Sequence, residues 1–143
     1  MCGRRYKSLP EPVLSNCTDP LLAGVPDMRG NWEGIRDNKT HWERIEQCSD
    51  RFVLSSSCVV HDFAHADGSV SHGVHDFSVV GCAPLIVAAV YNASCLTLKP
   101  FGEFTAVTRC LRADGSLDLD WNGRMDLLRR TNNTHGVEAC DSQ

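Results

Sequence analysis

The sequence predicts an all-β fold, a single up-and-down antiparallel β-barrel of about eight to ten short strands. Three observations predict it. Between residues 28 and 131 no helical period is sustained, while short runs of strand-like composition follow one another. Turn signals separate the runs: Ala66-Asp67-Gly68-Ser69 and Ala113-Asp114-Gly115-Ser116 are the same string, and Asn122-Gly123 is a third. Finally, Gly30-Asn31-Trp32 opens the first run and Arg129-Arg130 ends the last. An indole there can fill one end of a barrel, with a guanidinium lying flat on its face.

The elements follow in order. Residues 1–27 hold Pro10, Pro12, Pro20 and Pro26 and read as an irregular lead-in, with a helical turn at 19–23. The first strand is 31–36, where Gly30 and Gly34 alternate with Trp32 and leave room for its ring. The run 41–48 reads as a strand or as a short helix. Thr40 and Glu43 have capping-box spacing, and Trp42 and Ile45 are three apart. Strands at 51–55, 58–65 and 70–80 come next, the last two forming a hairpin at Asp67-Gly68. Its register is open: a two-residue turn puts His72 with His61 and His65, and a one-residue bulge puts His75 there. The run 85–91 is apolar on both faces, so its outer face should be covered or dimerised. Strands at 95–99, 104–111, 117–121 and 124–130 complete the core, and 132–143 reads as a loose polar tail. In the last strand Met125, Leu127 and Arg129 share the more apolar face, so Arg129 is expected to point inward.

Composition narrows the partners. The chain has 143 residues, 42% of them hydrophobic, and a formal charge of −4. That suits one domain, 28–131, and its acidity argues against nucleic acid. The longest apolar stretch, 79–91, is broken by Gly81 and Pro84 and is too short for a membrane span. Oligomeric state stays open. Eight cysteines without a Cys-x-x-Cys pair, and sequons at Asn16, Asn38, Asn92 and Asn132, point to secretion if the cysteines pair. The basic start, Met1-Cys2-Gly3-Arg4-Arg5, is followed by no apolar run, which leans the expectation to the cytoplasm with free, buried thiols.

The Gly-x-Trp, the late arginines and the series of short strands resemble the calycin superfamily, the lipocalins and fatty-acid-binding proteins, over residues 28–131. The resemblance implies reversible, non-catalytic binding or transport of a small hydrophobic ligand, a fatty acid or other lipid-like molecule, inside the barrel. It implies Gly30, Trp32 and Arg129 as barrel-closing residues. It also implies Arg109 and Arg129 as partners of a ligand carboxylate, since Arg stays charged when buried and grips a carboxylate with two bonds. In such a barrel the core is the cavity wall, so Trp42 and Phe52 are candidate contacts. Two departures stand out. Arg129 is followed by Arg130-Thr131 where the fatty-acid-binding pattern has a Tyr two residues on, and 41–48 supplies one short helix at most in place of a helical lid.

Two alternatives compete. His61, His65, His72 and His75 lie on one expected hairpin and suit zinc or haem iron, or a pH sensor. Otherwise no cofactor is needed. Cys58, His61 and Asp62 form a nucleophile set on paper, as in a calycin-fold isomerase or chromophore lyase. On a strand, however, Cys58 and His61 face opposite ways, which favours the binder over the enzyme.

Overall fold

The computed structural model describes residues 11–36, 38–56, 59–77, 84–100, 106–121 and 123–135. Among the described residues there are ten strands: β1 (Gly30–Arg36), β2 (Lys39–Cys48), β3 (Arg51–Ser56), β4 (Val59–Phe63), β5 (Asp67–Phe77), β6 (Pro84–Asn92), β7 (Cys95–Pro100), β8 (Val107–Leu111), β9 (Leu117–Trp121) and β10 (Arg124–Arg130). They form one antiparallel sheet in the order β4-β3-β2-β1-β10-β9-β8-β7-β6-β5. Apart from β4 and β5, each strand therefore pairs with its neighbours in sequence, and β1 pairs with β10, so the sheet curls round on itself. The seam lies between β4 and β5, which stand side by side without a ladder among the described residues.

That seam corrects the expected hairpin at Asp67-Gly68. The chain leaves β4 at Phe63, and the buried Ala66 turns its N–H to the Asp50 carbonyl at 2.8 Å. Asp67 then opens β5 and pairs with Val90 of β6. The second copy of the string does turn a hairpin: Gly115 N–H reaches the Arg112 carbonyl at 3.0 Å between β8 and β9. In both copies the Asp carboxylate accepts the Ser N–H two residues on, at 2.9 Å. The local bond is the same in both copies, so it does not by itself set the path.

The run 41–48 is wholly strand. Ile45 lies opposite Gly30 on one side and Leu54 on the other, so two ladders override the capping-box spacing. Register then fixes the faces, because directly paired residues point the same way. Trp32, Ile45, Phe52, Leu54, Phe63, Ala89, Leu96, Leu117, Leu119 and Leu128 form the interior, each no more than 5% exposed.

The lead-in is docked rather than loose. Val13 and Leu14 donate their N–H groups to the Glu46 carboxylate at 3.1 and 2.9 Å, and Cys17 is bonded to Cys48. No helical turn forms at 19–23; a tight turn brings Val25 N–H to the Leu22 carbonyl at 3.1 Å. Gln47, on the inner face, ties this segment to the barrel end. It accepts Met28 N–H at 2.6 Å and donates to the Pro26 carbonyl and the Tyr91 hydroxyl at 3.0 and 2.8 Å. The outer face of β2–β4 is buried too, through Trp42, Val53 and Val60. The end of the core is held by Thr131 N–H on the Asn31 carbonyl at 2.9 Å, and the start of the tail by Trp42 Nε1–H on the Asn133 carbonyl at 2.9 Å.

A second disulfide, Cys95–Cys110, joins directly opposed residues of β7 and β8. The described cysteines are all paired, which is consistent with the secreted option. Cys2, Cys58, Cys82 and Cys140 lie outside the described residues. Among the described residues no helix is long and apolar enough to cross a membrane.

Candidate functional site

The closed end is built on Trp32. Its indole is fully buried and donates Nε1–H to the Met28 carbonyl at 2.9 Å. Gly30 precedes it at φ 140°, a backbone state that side chains rarely adopt. The guanidinium on the ring is that of Arg130, 4.4 Å from the ring centroid, with Nη2 also 3.3 Å from the Asp27 carbonyl. The expectation of an inward Arg129 is thus corrected. Trp32 pairs with Arg130, and Arg129 is exposed on the outer face beside Glu33. The apolar face of β10 misled: Met125 and Leu127 face solvent, 59% and 38% exposed, while Leu128 enters the core. Arg129 instead lines a shallow open groove with Glu33, Ile35 and Thr40. Its expected place at the ligand carboxylate is lost for the same reason.

Of the remaining expected contacts, Phe52 faces inward, stacked on Phe63 with centroids 6.3 Å apart. Trp42 does not. It has the opposite parity to Ile45, lies on the outer face, and donates Nε1–H to the Asn133 carbonyl at 2.9 Å. Its burial comes from what covers the barrel, not from its interior.

Arg109 does point inward, and there it meets Glu43. Nε and Nη2 donate to the two carboxylate oxygens at 2.8 and 3.0 Å. The pair joins β8 to β2, strands that the sheet separates by β9, β10 and β1, so it bridges the interior. Glu43 is fully buried and Arg109 is 5% exposed. His41 Nε2 completes the group at 2.7 Å from Glu43 Oε1. Burial pushes the Glu43 carboxyl up, but the Arg109 charge and the hydrogen bonds from His41 and Arg109 outweigh it and hold it at about 2. Glu43 is therefore an acceptor only, and His41 Nε2 carries the proton between them. One donor group stays unmatched: Arg109 Nη1 is buried and has no hydrogen-bond partner among the described residues.

His61 faces inward from β4, opposite Leu54. Burial, and then the nearby Arg109 charge, lower its pKa to about 4 against the pull of Glu43, so the ring is neutral at pH 7. His65 lies beyond the end of β4, exposed, with Nδ1 3.1 Å from Asp50. The expected gathering of the two histidines fails because the strand ends before the alternation reaches His65. His72 and His75 are on β5, where the side chains lie outside the described residues. Asp62, on the outer face, is held by Arg51 Nε at 2.9 Å, away from His61. The clustered metal-ligand types among the described residues are Cys17, Asp19 and Cys48, where both sulfurs are in a disulfide.

Sequence reasoning found Arg109 and missed its partner. The signal was present: His41 and Glu43 are two apart, hence on one face once the run is a strand. The chain is similar in fold to the solved structure of human cRBP IV, at 14% identity over 73% of this chain and 98% of that one, with a TM-score of 0.48. No family model and no curated protein matches the chain.

Proposed function

We propose that this protein reversibly binds a small, largely apolar molecule within its curled sheet, without chemistry of its own. The observation that carries the proposal is the make-up of the inner face. Apolar side chains line it, and the Glu43–Arg109 pair crosses it with one guanidinium nitrogen unmatched. Apolar area removed from water at about 25 cal/mol per Å² supplies affinity, and a few placed polar groups supply orientation. An enclosed Arg donor among such residues suits a ligand with one polar end.

The test is titration of the full, non-reduced chain with a fluorescent apolar probe. Saturable one-to-one enhancement that a long-chain lipid reverses supports the proposal. Absence of saturable uptake contradicts it and leaves a barrel filled by its own side chains.

A further inference from the structure

Resting on that proposed binding role, we infer that the ligand's polar end is an uncharged hydrogen-bond acceptor, such as an alcohol, carbonyl or ester oxygen, received by Arg109 Nη1. An Arg inside an apolar cavity is suited to neutralising a carboxylate, and here that carboxylate is supplied by the chain itself, as Glu43. Its two oxygens take Arg109 Nε and Nη2 at 2.8 and 3.0 Å, the paired geometry a ligand carboxylate would otherwise use. Oε1 also takes His41 at 2.7 Å. The acceptor side of the network is thus engaged, and its open capacity is on the donor side, at a buried nitrogen.

Charge gives the same answer. Glu43 and Arg109 cancel, and His61 beside them is neutral at pH 7. A neutral oxygen at Nη1 satisfies the orphaned donor and adds no charge. A carboxylate there would share one guanidinium with Glu43 and put two carboxylates side by side in a buried, largely apolar setting. Like charges at one site, and desolvation of the second carboxylate, both oppose that arrangement. The selectivity comes from a side chain of the protein occupying the place of an acid.

The experiment is competition against the bound fluorescent probe at pH 7. The competitors are 1-hexadecanol and hexadecanoate, which share chain length and differ at the head. The inference predicts that the alcohol displaces the probe at a concentration lower by about tenfold or more. It further predicts that Glu43→Gln, which frees the guanidinium, narrows or reverses that ratio. Equal or better displacement by hexadecanoate from the unmutated protein overturns the inference, as does an unchanged ratio in folded Glu43→Gln. Probe uptake with no displacement by either competitor overturns it while sparing an apolar cavity. Failure to take up the probe at all removes the binding role and the inference together. If Glu43→Gln does not fold, the ratio measured on the unmutated chain decides.

Discussion

Glu43 concentrates the electrostatics of this molecule. A buried carboxylate is tolerated only while its partners remain, so removing it strands Arg109 in an apolar interior. Glu43→Leu should therefore cost about 3–5 kcal/mol in denaturant unfolding, whereas Glu43→Leu with Arg109→Met should recover most of that loss. A double variant as unstable as the single one would show that the pair is not what matters. His61 adds a pH signature. Its folded-state pKa, about 4, lies below the ordinary 6.5, so the unfolded chain binds the extra proton first as pH falls. Stability should drop between about pH 6.5 and pH 4, by an amount on the order of 3 kcal/mol, and this term should flatten below that. Glu43 contributes with the same sign in a lower window, since its folded-state pKa is also depressed: stability is lost from about pH 4.5 down to pH 2, where its protonation breaks the pair. Unfolding free energies measured on the unmutated chain and on His61→Phe separate the two: the variant should lose the upper limb and keep the lower. An upper limb unchanged in His61→Phe would contradict the assignment.

At the scale of elements, β1 and β10 approach closely at Gly34. A Cβ at Gly34 would lie 2.5 Å from the Leu127 carbonyl oxygen and 2.6 Å from Leu128 Cδ2. The carbonyl is backbone, so a strand must move. Gly34→Ala should cost about 1–3 kcal/mol and lower the melting temperature, although alanine suits most strand positions no worse than glycine. A neutral effect would mean that β1 and β10 are further apart than described. The strands themselves were largely legible, since turn chemistry and period-two runs are local properties. The extent of β2 was ambiguous because Thr40 and Glu43 mimic a helix start, and only pairing with β1 and β3 removes the ambiguity. The inward Arg was misread on β10 because Met125 and Leu127 made the solvent face look like the core face. Nothing local in the sequence distinguishes the two Asp-Gly strings, one of which turns a hairpin while the other opens β5 at the seam.

For the molecule as a whole, the pairing of Trp32 with Arg130 brings the two ends of the core together, and the lead-in closes that end through Met28 and Gln47. The barrel was legible as a class because the ends of the meander carried a Trp and an Arg. The docking of residues 11–25 on the outer face was not, since it depends on distant partners such as Glu46 and Cys48. The ion pair across the interior was half legible, for it joins residues 66 apart that no local pattern connects. The central claim, that this interior receives a small apolar molecule, is tested most directly by native mass spectrometry of the purified, non-reduced protein, joined to solvent extraction. The account predicts a discrete mass excess that is lost on extraction, or that appears when an uncharged long-chain lipid is added. A bare mass that stays bare after incubation with such lipids would contradict it.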